Sequence, residues 1–352
     1  MYMDPSREKL LPKPLIEVIY AGGTISSLAT DAGYREGGHV VDLIGLLEER
    51  EPGIQDSLNL GEASIAYTGL SENINEEAWQ KISSMVKGSL LKNPNGVVIT
   101  HGTDSMEQTA RRLDSEFQEE LRTSQTKIIL TGANEDLSDL NTDAWSNLSF
   151  ALQSAAGSAE PGVYVAFHGR LIPAEKVIKE PFNGSEMNFA SVDDPEYLAK
   201  LQESRQLVRQ QIESLEAFYE KAMVEQQDII DYPVNTFRPQ HNELLEYVKK
   251  HDVRAVLLTL YHSGTAHTQN PELSVANLAK RLAKDDVAVF AVTENGEEVK
   301  FGNYETSVLL EEAGIIPLGS LDHDVAYAKL CLASPTLRGN DLITEVTTDK
   351  TI

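Results

Sequence analysis

Apolar, β-branched runs alternate with amphipathic stretches along most of the chain. "LIEVIY" (15–20), "SIAY" (64–67), "GVVIT" (96–100), "KIILT" (127–131) and "GVYVAF" (162–167) have the length and composition of buried strands. Between them, "NEEAWQKISSMVKGSLL" (75–91) and "DSMEQTARRLDSEF" (104–117) carry the three-four spacing of helices with one apolar face. A second set follows: "AVLLTLY" (255–261), "ELSVANLAKRLAK" (272–284), "VAVFAV" (287–292) and "YETSVLLEEAG" (304–314). This βαβα rhythm predicts an α/β protein of two α/β domains. The larger, N-terminal one is built on a mostly parallel, doubly wound sheet with flanking helices; the C-terminal one is a smaller parallel-sheet domain.

Residues 195–231 separate the two sets and hold no glycine, and no proline after Pro195. Leu198, Leu201, Val208, Ile212, Leu215, Tyr219 and Ala222 follow helical spacing, interrupted by Arg205. One long amphipathic helix is predicted, packed on its own chain or offered to a partner subunit. The expected division is therefore 1–194 for the N-terminal catalytic domain, 195–240 for a helical connector and 241–352 for the C-terminal domain.

Charge narrows the partners. Against 30 basic residues stand 55 acidic ones, a formal net charge of −25 over 352 residues. Such a field opposes nucleic acid and anionic membrane surfaces, but says little about a small zwitterion in a local site. Cys331, in "AKLCLAS", is the one cysteine, so no intramolecular disulfide can form, and its apolar neighbours predict a core position. The first residues, "MYMDPSREKLLPKPL", lack an apolar signal core, and no run approaches the ~20 apolar residues of a membrane span. A cytoplasmic protein is expected.

Two strand ends carry the candidate chemistry. In "IYAGGTISS" (19–27), Gly22 and Gly23 allow a sharp turn or a close approach, and Thr24 follows at the carboxyl end of a strand, where open α/β sheets bind ligands. In "VVITHGTDSMEQTA" (97–110), a second strand ends in a glycine, followed by Thr103 and Asp104. Taken alone, Thr103 and Asp104 fit a helix cap, with Glu107 completing a capping pattern. Taken together, the two stretches bring two glycine-supported threonines and a carboxylate to one sheet edge. Competing readings lack their residues. "GGTISS" has neither the lysine of a phosphate loop nor dinucleotide-binding glycine spacing, and no G-x-S-x-G elbow is present. Histidines 101, 168, 262 and 267 are scattered and no Cys/His cluster exists, so they are read as structural or supporting and no metal is expected. A threonine nucleophile needs a base, and a lysine held by a carboxylate can serve. Spacing alone does not choose the lysine.

These residues also carry a resemblance. "YAGGTIS" with "THGTDSMEQTA" resembles the paired signatures of the bacterial-type L-asparaginase family, cytoplasmic type I-like. "LTGANEDLSDLNTDAWSNLSFAL" (130–152) resembles the family's segment after the third strand, and "VFAVTENGEEVKFGNYETSVLLEEAGIIPLGS" its C-terminal domain. The resemblance implies that Thr24 is the primary nucleophile, forming an acyl-enzyme from the side-chain amide of L-asparagine and releasing ammonia and then L-aspartate. It implies that Tyr34, in "DAGYREGG", closes over the substrate. Ser71 would hold the substrate α-carboxylate and Glu72 would help bind its amino acid end. Thr103 and Asp104 would be the second threonine and the aspartate that also holds the α-ammonium. Lys179 would be the lysine, with Lys176 as its rival. It implies no cofactor and no metal, and a homodimer or homotetramer with sites at an intimate dimer interface. Glutamine or another primary amide remains open as the substrate, as does a non-catalytic amino-acid-binding or scaffold role. Three features depart from the family's pattern: Thr265, in "LYHSGTAHT", where an asparagine that helps bind the substrate's amino end is usual; the charged Glu72; and the long helix at 195–231.

Overall fold

The computed structural model describes residues 12–29, 35–36, 42–180, 189–207, 229–234, 241–333 and 337–348. The first of its two main sheets takes β1 (Leu15–Ala21), β4 (Asn59–Leu60), β5 (Ser64–Tyr67), β6 (Gly96–His101), β7 (Lys127–Thr131), β8 (Gly162–Phe167) and β9 (Arg170–Pro173). A short antiparallel pair, β2 (Leu28–Ala29) with β3 (Arg35–Glu36), stands apart from it. The sheet runs β4-β1-β6-β7-β8-β9, with β5 also on β1, and every pairing is parallel except β8 with β9. β1 therefore has β5 on one side and β6 on the other. The chain order reverses between β1 and β6, and a crevice opens beyond the carboxyl ends of strands at such a point. Thr24 and Thr103 follow these two strands.

Period-two alternation explains why the sheet is covered on both faces. In β6, Val97 and Ile99 face one core while Val98 faces the other; Ile128 and Leu130 oppose Ile129 in β7 in the same way. On the first face lie α3 (Glu76–Leu90) and α4 (Met106–Arg122), the latter burying Met106, Ala110, Leu113, Phe117 and Leu121 at three-four spacing. On the second lie α1 (Leu43–Arg50) and α5 (Ala144–Ala156), through Leu43, Leu47, Leu148, Ala151 and Leu152; α2 (Ile54–Ser57) is a single turn beside them. Asn75 and Asp42 cap α3 and α1 by accepting from the backbone N–H groups of Ala78 and Gly45.

A hairpin of β10 (Val177–Lys179) and β11 (Phe189–Ser191) leads to helical residues 195–207, α6. The predicted helix 195–231 is thus observed at its start only. Its far end is a strand, β12 (Ile229–Pro233), and the intervening residues lie outside those described. Ile229 and Ile230 are β-branched and find a ladder on β13 (Ala255–Leu260), so pairing overrides the helical pattern there. The C-terminal sheet consequently begins at Ile229, inside the segment assigned to the connector. It runs β12-β13-β14-β15, all parallel, with β14 (Ala288–Thr293) and β15 (Ile316–Pro317). One face packs α7 (His241–Val248), α8 (Val275–Leu282) and α9 (Glu305–Glu312); the other packs α10 (His323–Ala333) and α11 (Gly339–Thr348). Cys331 is buried among the latter, as expected.

Ile99, fully buried on the central strand β6, is expected to report on the whole N-terminal sheet. Ile99→Ala should lower the free energy of unfolding by about 2–5 kcal/mol, measured by urea denaturation.

Candidate active site

The site grows from three strand ends that touch through their glycines. Gly22 and Gly23 both take left-handed backbone, at φ 70 and 85°. A Cβ on Gly23 would lie 2.2 Å from the Gly102 nitrogen, and one on Gly102 would lie 2.5 Å from Ser71 Oγ. Only glycine lets β1, β6 and the turn after β5 come this close. Gly23 N–H donates to the Gly69 carbonyl at 3.1 Å, which ties the first turn to the third. Thr24 opens a one-turn 3₁₀ helix, Thr24–Ser26, whose Ser26 and Ser27 hydroxyls both donate back to the Gly23 carbonyl. Its side chain is buried, and Ser71 is buried beside Gly102.

After β6, Thr103 and Asp104 do not cap α4. The N-cap is Ser105, whose hydroxyl donates to the Ser71 carbonyl at 2.8 Å. Thr103 and Asp104 instead meet a lysine. Lys179 Nζ donates to Asp104 Oδ1 at 2.5 Å and to Thr103 Oγ1 at 3.2 Å, with all three residues buried. Lys176, its rival, is partly exposed and pairs with Asp193 instead. Glu107 accepts from the Lys179 backbone N–H at 2.7 Å, and Arg111 donates to the Val177 carbonyl. The helix after β6 thereby fixes the strand that carries the lysine. Glu107 is a docking point for β10 rather than part of a cap.

The C-terminal unit supplies the remaining partners. A tight turn after β13, with Gly264 left-handed at φ 69°, presents Ser263 and Thr265. Thr265 Oγ1 donates to Asp104 Oδ2 at 2.7 Å, and Ser263 Oγ donates to Oδ1 at 3.1 Å. Thr306, at the start of α9, donates to Glu72 Oε1 at 2.6 Å. Sequence reasoning placed Thr265 and Glu72 here but missed Ser263 and Thr306. Ser263 sits two residues before Thr265 in the same strand-end loop, and that spacing is a usable signal. Nothing local marks Thr306, which reaches Glu72 across most of the chain. Tyr34 lies outside the described residues.

Two buried carboxylates with one lysine set the electrostatics. Burial pushes Asp104 up, but the Lys179 ammonium and the hydrogen bonds from Lys179 and Thr265 outweigh it and hold the group below its usual value. Among the described residues Glu72 forms no ion pair, and the Lys179 charge acts on it only weakly. Burial, reinforced by the Asp104 charge, pushes it up to about 8 despite the Thr306 hydroxyl. His101, behind the strand end, is held neutral: burial lowers it to about 4. Its Nδ1 meets the Gly102 carbonyl at 2.7 Å, so that nitrogen carries the proton and Nε2 accepts from Thr109. His267 and His262 meet the backbone carbonyls of Glu72 and Glu180. His168 meets the Asp143 carboxylate instead. Among the described residues no cluster suits a metal ion. A hydroxyl held by a buried lysine–carboxylate pair can pass a proton during acyl transfer.

The profile of the N-terminal asparaginase domain ("Asparaginase, N-terminal") matches residues 15–213. The chain belongs to the asparaginase family. It is an enzyme of the amidohydrolase kind, acting on amides. Curated relatives include a glutamyl-tRNA(Gln) amidotransferase subunit of Thermococcus kodakarensis, 26% identical over 93% of this chain and 72% of that one. The same amidotransferase subunit of Sulfurisphaera tokodaii is 24% identical, covering 92% and 71%. Among solved structures, a probable cytoplasmic L-asparaginase from Campylobacter jejuni aligns at 18% identity and TM-score 0.47, over 95% of this chain and 99% of that one. The thermostable L-asparaginase from Thermococcus kodakarensis aligns at 21% and 0.43, over 95% of each. No helix among the described residues of this asparaginase-family chain is long and apolar enough to cross a membrane.

Two outcomes follow from this geometry. Gly23→Ala should abolish activity and destabilise the fold, because its Cβ meets backbone on the facing strand end; ammonia release and thermal melting report the two effects. Glu72 has its folded value raised above the usual one, so its stabilising contribution is complete below about pH 4.5 and is lost as pH rises through about 8. Thermal melts from pH 5 to 9 should therefore fall more steeply for the native chain than for Glu72→Gln.

Proposed function

We propose that this chain hydrolyses the side-chain amide of L-asparagine, giving L-aspartate and ammonia. The observation that carries the reading is the Lys179 ammonium bridging Thr103 and Asp104 at the end of β6, next to the turn that holds Thr24. In this reading Thr24 Oγ attacks the amide carbon, the C–N bond breaks, and ammonia leaves with the proton that Thr24 gives up. Water then hydrolyses the ester. Thr103 and Lys179 carry the proton. Ser71 takes the substrate α-carboxylate, and Asp104 with Glu72 takes the α-ammonium. A carboxylate offers about four acceptor positions. Among the described residues Lys179, Ser263 and Thr265 use three of those on Asp104, and in this reading the substrate ammonium takes the fourth. A substrate cation on that position weakens the hold of Asp104 on the Lys179 proton and favours its release to the relay.

The curated relatives favour a second reading, in which L-glutamine is the amide and the ammonia passes to an acceptor. The net charge of −25 then assigns any RNA to a partner, since this chain's own field repels it. One buried cysteine suits a reducing compartment, and the cytoplasm is the proposed setting.

The test is ammonia release from L-asparagine, D-asparagine, L-glutamine and simple amides. L-asparagine should be the fastest, and Thr24→Ala should lose at least about 10³-fold in kcat. Lys179→Met should lose about 10²–10⁴-fold, and Lys176→Met should match the native chain. Preference for L-glutamine would move the assignment to the second reading, and release unaffected by Thr24→Ala would end both.

A further inference from the structure

The turn between β8 and β9 is two residues long, and both take left-handed backbone, His168 at φ 44° and Gly169 at φ 72°. Such turns favour glycine, asparagine and aspartate. A histidine there sets that preference aside, and its ring makes a contact that asparagine is too short to make. His168 Nε2 meets Asp143 Oδ2 at 3.1 Å; an ionised carboxylate only accepts, so this nitrogen carries the proton and donates. The His168 backbone N–H donates to Asn147 Oδ1 at 2.9 Å. Asp143 stands at the N-cap of α5, yet its carboxylate does not cap that helix. It accepts from the Asn134 N–H at 2.9 Å, the Glu135 N–H at 3.1 Å and Asn147 Nδ2 at 2.9 Å, besides His168. Burial pushes Asp143 up, but the hydrogen bonds from His168, Glu135 and Asn134 outweigh it and hold the group below its usual value.

Asp143 ties the two ends of residues 132–143 together, and this segment touches both threonine-bearing turns. At its start, a Cβ on Gly132 would lie 2.5 Å from the His101 carbonyl oxygen and 3.5 Å from Thr103 Cγ2. Asn147 Nδ2 holds the Gly132 carbonyl at 3.0 Å. Further on, the Leu137 N–H donates to the Ser27 carbonyl at 3.3 Å, just beyond the one-turn helix that Thr24 opens. We propose that His168 is a positioning residue for the reaction: through Asp143 it holds residues 132–143 in the shape that braces the Thr24 turn. Three elements meet at this one carboxylate: the segment after β7, the start of α5 and the β8–β9 turn. The imidazole is the side-chain link to the third. Without it the segment keeps its remaining donors but loses a charge-assisted tie to the sheet, and its contact with Ser27 loosens. A nucleophile displaced by about 1 Å can lose about 10²-fold in rate, so a slack brace lowers kcat rather than substrate binding.

The kinetic role rests on Thr24 as the nucleophile proposed above; the brace itself does not, and two readouts keep them apart. His168→Asn suits the left-handed turn but does not reach Asp143, whereas His168→Gln carries an amide N–H out to the distance of Nε2. With whichever amide the chain hydrolyses fastest, His168→Asn should lower kcat about tenfold with KM within about twofold, and His168→Gln should recover most of the loss. Asp143→Asn should show the same loss, and adding His168→Asn to it should cost less than about twofold more, because the two act as one unit. An unchanged kcat in His168→Asn, no recovery by glutamine, or losses that simply multiply in the double variant would overturn the positioning role. The second readout is amide hydrogen exchange followed by mass spectrometry. Peptides from residues 24–29 and 132–143 should exchange at least about fivefold faster in His168→Asn, while those from α4 should match the native chain. Unchanged exchange over 132–143, or acceleration in α4 as well, would overturn the brace whatever residue proves to be the nucleophile.

Discussion

A lysine and an aspartate removed from water hold this site together. Lys179 and Asp104 are both buried, and each satisfies a charge that would be very costly alone. Everything else at the site answers to that pair. Thr103 shares the ammonium, Ser263 and Thr265 fill the carboxylate's other positions, and Glu107 and Arg111 pin the strand that delivers the lysine. Replacing one member leaves its partner charged and unpaired, a cost of about 3–5 kcal/mol in comparable buried pairs, so the pair constrains folding as well as chemistry.

The sheet explains why such a pair forms where it does. Chain order reverses between β1 and β6, so their carboxyl ends open onto one crevice, and the glycines after them let the two turns touch. The network behind them stiffens the arrangement. Trp79 and His101 converge on Thr109, His101 holds the Gly102 carbonyl, and the peptide leading into Thr103 is thereby fixed. Catalysis by positioned hydroxyls depends on this kind of rigidity more than on any single hydrogen bond.

Local sequence signals carried the strands and most of the site. β7 and β8 have the bounds that alternation and apolar runs predict, and Thr24, Thr103 and Asp104 stand at glycine-marked strand ends. The lysine could not be chosen from spacing, because its position depends on a hairpin docked to α4 rather than on its neighbours in sequence. Thr306 was invisible for the same reason: a threonine at a helix start reads as a helix signal until Glu72 is placed against it. The end of the long helical pattern gave way to β12 because a partner strand was available, which no window of sequence reveals.

Glu72 shows how a departure from a family's pattern can be read physically. Buried beside the Asp104 charge, its carboxyl resists ionisation despite the Thr306 hydroxyl. The central claim is that Thr24 is the atom that takes the acyl group, and trapping that intermediate tests it most directly. The protein is mixed with L-asparagine, quenched in acid within milliseconds, digested and mapped by mass spectrometry. An aspartyl ester on the peptide containing Thr24, absent in Thr24→Ala, is the predicted result. An ester on the peptide containing Thr103, or turnover with no ester on any peptide at any quench time, would contradict the account.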